Sequence, residues 1–401
     1  MVIVHPARVI AHGAEARVEA DIELNGRRQA LWYSVQREYE QYLSPSQLDP
    51  FVLGILLLAM KHGQDVSVRG AMSEKLLFNL THFYIPILRL VMPYLKKVSA
   101  CPDSLSRGGP CANGVVTGFS AGVDSFCVLH DHFFHSDRFP GYKVSHLVFS
   151  NVGSHGEHRH DEARALFNAR YDLLKDYPAS IGLKLVKIDS NLSEHLNWDF
   201  DQTHTIRNVA AVMVLQSLFS KYLFASGYRY QDCFTGPTTS MAYSDPVAVH
   251  LLSTENTECI STGCQYSRVE KTRLIGGIEG PSRLLNVCVS LHARGHNCSA
   301  CYKCQRTLFT LDMLGQLDKY AAVFDLEAWR KTRRRYITRQ LLTCKKDTLM
   351  LELLEYAREN GYPFSLAQRV EARARRLCSP WVRRVRKVLT SFKRRAPRVR
   401  P

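Results

Sequence analysis

The sequence has no hydrophobic run long enough to cross a membrane. Its longest apolar stretch, residues 51–60, has ten residues, whereas a membrane-spanning helix needs about 20. The first residues lack the basic stretch followed by an apolar core that marks a secretory signal. Internal repeats are also missing, as are low-complexity segments before the C-terminal tail. From these absences we expect a protein of the cytoplasm built from folded domains.

Acidic residues are scarce near the C-terminus. The 401-residue chain has 53 Lys and Arg against 37 Asp and Glu, a formal net charge of +16. Residues 369–401 contain 13 Lys or Arg and one acid, Glu371, which gives +12 there and leaves +4 elsewhere. Apolar residues recur at helical spacing over 381–392, which predicts a basic amphipathic helix. The tail therefore predicts an anionic partner, a membrane surface or nucleic acid, with a merely solubilising tail as the alternative.

The N-terminal hundred residues predict a separate α+β unit. Polar and apolar residues alternate over 17–24 and 29–35, on either side of an Asn-Gly pair, and this pattern is typical of a β-hairpin. Helical spacing follows at 48–61 and 73–95. The stretch 101–113 is rich in Pro, Gly and Ser, which predicts a linker.

From residue 114 short apolar runs alternate with helical patterns. The predicted strands are 115–119, 146–151 and 184–188, and the predicted helices are 125–134, 161–176 and 206–224. Strands that alternate with helices of this length indicate βαβ units. The sequence therefore predicts an α/β fold with a doubly wound parallel sheet.

A turn of small residues follows the first of these strands. Residues 119–125 read Phe-Ser-Ala-Gly-Val-Asp-Ser. Small residues let backbone N–H groups approach a phosphate, and the following helix adds its positive N-terminal end. Ser120 and Ser125 can donate hydroxyl hydrogen bonds, and Asp124 can hold Mg²⁺. The turn is not a Walker loop, since no Gly-Lys-Ser/Thr follows it. An ordinary capped helix after a buried strand is the alternative.

Four of the twelve cysteines lie within residues 288–304. They are Cys288, Cys298, Cys301 and Cys304, with the spacing Cys-x9-Cys-x2-Cys-x2-Cys. Four thiolates complete a tetrahedral shell for Zn²⁺ and leave no position for water. The spacing predicts a structural zinc site, although an iron–sulfur cluster and unrelated buried cysteines are alternatives. His292 and His296 lie in the same loop as competing ligands.

The loop at 120–125 resembles the Ser-Gly-Gly-x-Asp-Ser loop of the ATP pyrophosphatase (PP-loop) superfamily, whose members cleave ATP to AMP and pyrophosphate. Ala121 stands where the superfamily has its first glycine, and an alanine is tolerated there if its φ is negative. Together with the four cysteines, the loop resembles the 7-cyano-7-deazaguanine synthase family. Residues 153–162 are similar to that family's polar Gln-Arg-His segment.

Arg207-Asn208 resembles the Gly-Arg-Asn segment of the same family, although Thr205-Ile206 stand where Pro-Gly is expected. The similarity covers residues 114–316. It implies a PP-loop, HUP-like fold that uses ATP, Mg²⁺ and Zn²⁺, with Ser120, Ala121, Gly122, Val123, Asp124 and Ser125 around the nucleotide. It also implies catalytic roles for Asp124, Ser125 and Arg207.

The resemblance implies an enzyme that activates a small-molecule carboxylate as its acyl adenylate. Ammonia or another amine would then give an amide, or a nitrile after a second cycle. Pyrophosphate would leave toward the N–H groups of the loop, while Mg²⁺ neutralises charge that develops on the phosphates.

Two cations lie three residues apart within residues 253–273. On a helix Arg268 and Lys271 share a face, and they could grip a phosphate or a substrate carboxylate as catalytic groups. A solvated face with local pairs to Glu270 is the alternative. Asp245 and His250, in the preceding loop, are candidate polar contacts to the substrate.

Two other functions stay open. One is a PP-loop enzyme that adenylates an RNA base for thiolation or amination, although the nearly neutral body of the chain disfavours it. The other is a nucleotide-binding or nucleic-acid-binding module without catalysis, which Ala121 favours. The predicted domains are an N-terminal α+β domain (1–112), an ATP-binding α/β domain (113–285), a zinc-binding segment with its helix (286–316) and a helical region with the basic tail (317–401).

Overall fold

The computed structural model describes residues 1–156, 160–290, 293, 295–344, 347–375 and 377. The chain divides into two compact units, the first spanning Met1–Asn297 and the second beginning at Cys298. The amphipathic helix predicted at 381–392 lies outside the described residues, as does His292. The finer division into four domains stays a prediction. Within the described part of the chain, no helix is both long and apolar enough to cross a membrane.

A ten-stranded, mostly parallel sheet organises the first unit. Its strands are β1 (Val2–His12), β2 (Glu15–Leu24), β3 (Arg27–Gln36), β4 (Val66–Ser73), β5 (Ala100–Ser106), β6 (Gly114–Gly118), β7 (His146–Ser150), β8 (Lys184–Ser190), β9 (Phe219–Ala225) and β10 (Glu258–Thr262). Their order across the sheet is β10-β9-β6-β7-β8-β3-β2-β1-β4-β5. The α/β class predicted from the sequence is confirmed.

The N-terminal half of the sheet is mixed. The predicted hairpin is confirmed, because β2 and β3 pair antiparallel around Asn25 and Gly26, both at positive φ as a tight type I′ turn requires. The linker predicted at 101–113 is wrong in its first part, where β5 pairs parallel with β4. Pro102 suggested a linker, but β5 is an edge strand, and edge strands tolerate proline. Strand β3 pairs antiparallel with β8 and so joins the two halves.

Strands β6 to β10 pair only in parallel with one another. The chain runs outward from β6 to β7 and β8, then returns to the other side of β6 to form β9 and β10. This is the strand order of doubly wound sheets, which bind ligands at the carboxyl ends of the strands where the direction reverses. In this molecule the reversal falls between β6 and β9.

Helices connect the strands of the first unit. They are α1 (Asp49–His62), α2 (Glu74–Asn79), α3 (Ile85–Val91), α4 (Val123–Leu129), α5 (His160–Leu174), α6 (Asp176–Ser180), α7 (Leu192–His195), α8 (Phe200–Met213), α9 (Asp245–Ala248), α10 (Arg268–Ile275) and α11 (Pro281–Leu284). One π-helical segment, Leu80–Tyr84, joins α2 to α3, and another, His130–Phe134, extends α4. The helix predicted at 206–224 is wrong beyond Met213, where a turn leads into β9, because a short apolar run fits either period.

The second unit is helical in its described residues. It contains α12 (Tyr302–Met313), α13 (Leu326–Tyr336) and α14 (Thr348–Glu359), with further helical residues at 366–375. The basic residues 330–335 lie on α13, which buries Trp329 and Tyr336. Arg333 pairs with Asp312 of α12 at 2.5 Å, so this cation forms an ion pair within the unit.

Candidate functional site

The small-residue loop lies at the carboxyl end of β6. The N–H of Phe119 donates to the carbonyl of Val148 in the adjacent region of β7 (2.8 Å), and Gly122 caps α4. Ser120 is exposed, whereas Ser125 is buried and its hydroxyl donates to the Gly122 carbonyl (3.0 Å). Ser125 therefore fixes the turn. Ser120 is the hydroxyl that the loop presents to solvent.

Ala121 has a left-handed backbone. Its φ is +55° and the residue is fully buried. The condition under which an alanine is easily tolerated here, a negative φ, is therefore not met. A residue with a Cβ loses about 1–2 kcal/mol in this conformation. The Ala121 carbonyl accepts a hydrogen bond from the backbone N–H of Asn286 (2.8 Å), which holds the loop in this strained form.

Arg268 and Lys271 meet Asp124 across the site. Both cations lie on α10, so they share a helix face as the spacing predicts. Arg268 Nη1 lies 2.8 Å from Asp124 Oδ2, and Lys271 Nζ lies 2.9 Å from Asp124 Oδ1.

In the alternative, Arg268 and Lys271 would pair locally with Glu270, but in the structure Glu270 has another role. Glu270 forms a reciprocal capping box with Ser267 at the start of α10. Its carboxylate accepts from the Ser267 N–H at 2.7 Å. Glu270 therefore begins the helix that presents the two cations.

The loop that follows β9 completes this arrangement. Lys271 Nζ donates to the carbonyl of Ser226 (2.5 Å), and Arg268 Nη2 donates to the carbonyl of Gly227 (3.3 Å). Gly263, just after β10, has φ +78°, and a Cβ there would lie 3.4 Å from Lys271 Cε. The cluster therefore sits where the carboxyl ends of β6, β9 and β10 converge. Sequence reasoning missed Ser226 and Gly227 because it assigned most of β9 to a helix.

The cluster is shielded from solvent and carries a net positive charge. Side-chain exposure is 1% for Lys271, 10% for Arg268 and 28% for Asp124. Burial alone would raise the pKa of the Asp124 carboxyl, but the charges and hydrogen bonds of Arg268 and Lys271 lower it to about 2. One carboxylate against two cations leaves a formal +1. A site with this charge at the end of a parallel sheet is suited to an anion.

Arg207 has a different position. It is fully buried, and its guanidinium donates to the carbonyls of Val152 (3.1 Å), Leu196 (3.0 Å) and Trp198 (2.9 Å). A Cβ on Gly153 would lie 2.5 Å from Arg207 Nη1, so glycine makes room for the guanidinium. These contacts favour a positioning role, in which Arg207 fastens the chain that leaves β7.

The two other candidate substrate contacts differ in exposure. Asp245 is 1% exposed and accepts from the hydroxyl of Thr205 at 2.7 Å, while His204 Nε2 lies 3.5 Å from its other oxygen. His250 is exposed. Asp245 therefore has its polar partners on α8, inside the fold.

The four cysteines come together. The sulfur atoms of Cys288, Cys298, Cys301 and Cys304 all lie within 4.8 Å of one another. Tetrahedral zinc with Zn–S bonds of about 2.3 Å would place its sulfurs roughly 3.8 Å apart. Cys288 and Cys304 are buried and the other two are half-buried. The four cysteines thus fit a tetrahedral metal ion, and His296 is not part of the group that the described residues form.

Backbone N–H groups donate to the sulfurs, and one cation lies next to the group. The N–H groups of Ser290, Cys301 and Cys304 donate to the sulfurs of Cys288 (3.3 Å), Cys298 (3.2 Å) and Cys301 (3.5 Å). Arg170 Nη2 donates to the Cys288 carbonyl (3.4 Å). Hydrogen bonds of this kind orient metal ligands and offset the negative charge of four thiolates around a metal ion.

Comparison of the chain with protein-family models, with curated proteins and with solved structures found no match. Function is therefore inferred from the strand order, the charged cluster and the cysteine group. The charged cluster joins residues 124, 268 and 271 at the reversal of the sheet.

Proposed function

We propose that this chain binds ATP at residues 120–125 and uses it to adenylate a small-molecule carboxylate. The reaction is the one implied by the resemblance to PP-loop enzymes of the 7-cyano-7-deazaguanine synthase family. One observation carries the proposal: Asp124, Arg268 and Lys271 meet between the carboxyl ends of β6 and β9. Doubly wound sheets bind nucleotides at that point.

Each member of the cluster has a role in this proposal. Arg268 and Lys271 attract the phosphates and neutralise the charge that develops on the departing pyrophosphate. Asp124 holds both cations in place, and its remaining lone pairs make it the carboxylate ligand for Mg²⁺ that arrives with ATP. The exposed hydroxyl of Ser120 donates to a phosphate oxygen.

The chemistry consists of two displacements. A carboxylate oxygen of the substrate attacks the α-phosphorus of ATP, the bond to the pyrophosphate oxygen breaks, and an acyl adenylate forms. The nitrogen of ammonia or another amine then attacks the acyl carbon, AMP leaves with the bonding electrons, and the nitrogen loses a proton. The product is an amide, and a second adenylation of that amide would give a nitrile.

The four cysteines hold a zinc ion in this proposal. Their ligand set is complete without water, so the ion would have a structural role and take no part in the reaction. It would fix the segment that leads from α11 to α12.

A second candidate is a nucleotide-binding module without catalysis. Ala121 favours it, because a strained alanine replaces glycine in the loop that would receive the phosphates. Both candidates bind ATP, and only the first releases pyrophosphate.

Pyrophosphate release separates them. The assay supplies ATP, Mg²⁺, ammonia and a panel of small carboxylates to the parent, to Arg268→Gln and to Arg273→Gln. Arg273 lies on the same helix and is exposed, which makes it a matched control. We expect Arg268→Gln to slow release by about tenfold or more, in the range of lost electrostatic contacts in active sites. Equal rates in both variants, or no release with any carboxylate, would contradict adenylation.

A further inference from the structure

The cysteine group and the nucleotide loop are joined by a short chain of hydrogen bonds. Asn286 stands between them, two residues before the first cysteine of the group. Its backbone N–H donates to the Ala121 carbonyl (2.8 Å), and its Oδ1 accepts from the N–H of Cys288 (3.2 Å). One residue thus touches both the strained loop and a metal ligand.

A second asparagine fixes the other end of the same segment. Asn297, directly before Cys298, accepts from the Val287 N–H (2.9 Å) and donates to the Leu285 carbonyl (2.7 Å). The amide of Asn286 also donates to the Gly295 carbonyl. The backbone around Asn286 is therefore clamped from both ends of the loop that the first two cysteines enclose.

The left-handed backbone of Ala121 depends on the position of Asn286. A left-handed alanine persists only where its surroundings hold it. The Asn286 N–H is such a restraint, and a metal ion shared by the four cysteines would hold Asn286 in place. When the ion is absent, Cys288 loses that restraint, Asn286 can leave Ala121, and the loop 120–125 can relax to a form that aims fewer N–H groups at a phosphate.

We propose that Asn286 couples metal occupancy of the four-cysteine group to nucleotide binding at the loop 120–125. This inference rests on the proposed function. Asn286 is a positioning residue, since it acts through Ala121. Coupling between two sites is reciprocal: if metal strengthens ATP binding by some factor, ATP strengthens metal binding by the same factor.

Reciprocity allows a test that starts from the zinc-loaded protein and reads the coupling as a change in zinc affinity. Zinc affinity is measured at equilibrium against a chelator of known affinity, with ATP and Mg²⁺, with adenosine, or with neither. We expect ATP to raise zinc affinity by about tenfold, within the usual range of such couplings. Adenosine, which lacks phosphates, should have no effect.

Two variants locate the coupling. Asn286→Ala keeps all four cysteines, so it should retain zinc while losing most of the ATP effect. Cys101→Ser changes an exposed cysteine outside the group and should retain both. An unchanged zinc affinity in a protein that calorimetry shows to bind ATP overturns the coupling alone, as does a full ATP effect in Asn286→Ala. If the protein binds neither ATP nor pyrophosphate, the proposed function is overturned, and the coupling with it.

Discussion

Replacing Asp124 by asparagine is expected to destabilise the ligand-free protein, because it removes a carboxylate that pairs with two shielded cations. Both partners of Asp124 are at most 10% exposed. The pKa of Asp124 is lowered from 3.8 to about 2. At about 1.4 kcal/mol for each pKa unit, this difference corresponds to roughly 2 kcal/mol of folding free energy at neutral pH.

The direction of the pKa shift determines how the stabilisation by Asp124 changes with pH. The folded-state pKa lies below the unfolded one, so the stabilisation is complete above about pH 4 and is lost as the pH falls toward about 2. The assay is thermal unfolding at neutral and at acidic pH. We expect Asp124→Asn to melt about 4 °C below the parent at neutral pH, with a smaller gap in acid. Inorganic pyrophosphate should stabilise the variant more than the parent, since the site then carries +2.

Asp172→Asn is the matched control. Asp172 pairs with Lys175 where both side chains are about half exposed or more, and such surface pairs contribute little. A neutral-pH melting temperature of Asp124→Asn that equals that of Asp172→Asn would refute the reasoning. So would a gap that stays constant as the pH falls.

Three further predictions concern other residues. Burial raises the pKa of the Asp49 carboxyl to about 6, so its native state binds more protons between about pH 4 and 6, and stability falls as the pH rises through that range. Asp49→Asn should therefore be more stable than the parent at neutral pH, by roughly 3 kcal/mol in denaturant unfolding, and a less stable variant would contradict this. Elemental analysis should find one zinc per parent chain, and Cys301→Ser should lose it. Arg207→Met should lower the melting temperature, because three carbonyls lose their donor, and a melting temperature equal to the parent's would contradict this assignment.

The local sequence pattern predicted those strands and turns whose own residues carry the signal. The hairpin at Asn25-Gly26 and the strands at 146–150 and 184–190 carry their own turn and alternation signals, and the structure contains them. Strand β9 was missed because its apolar run continues the helical spacing of α8. It forms a strand because it pairs with β6 and β10, which are distant from it in the sequence.

The sequence predicted individual groups of the site, but not which of these groups would meet in the fold. The spacing of Arg268 and Lys271 predicted a shared helix face, and the cysteine spacing predicted a four-sulfur group. The meeting of these cations with Asp124, more than 140 residues away, depends on the order of strands in the sheet. Nothing in the local sequence indicated the positive φ of Ala121 either, since the hydrogen bond from Asn286 that holds it is equally remote.

Equilibrium binding of ATP tests the central claim most directly, namely that Asp124, Arg268 and Lys271 receive the phosphates of a nucleotide. Calorimetric titration of the parent and of Lys271→Met, a change that suits a side chain only 1% exposed, provides the comparison. The account predicts that ATP binds the parent more tightly than AMP does, and that Lys271→Met weakens ATP binding by about tenfold. Equal affinity of ATP for both proteins, or no binding of ATP to the parent, would contradict it.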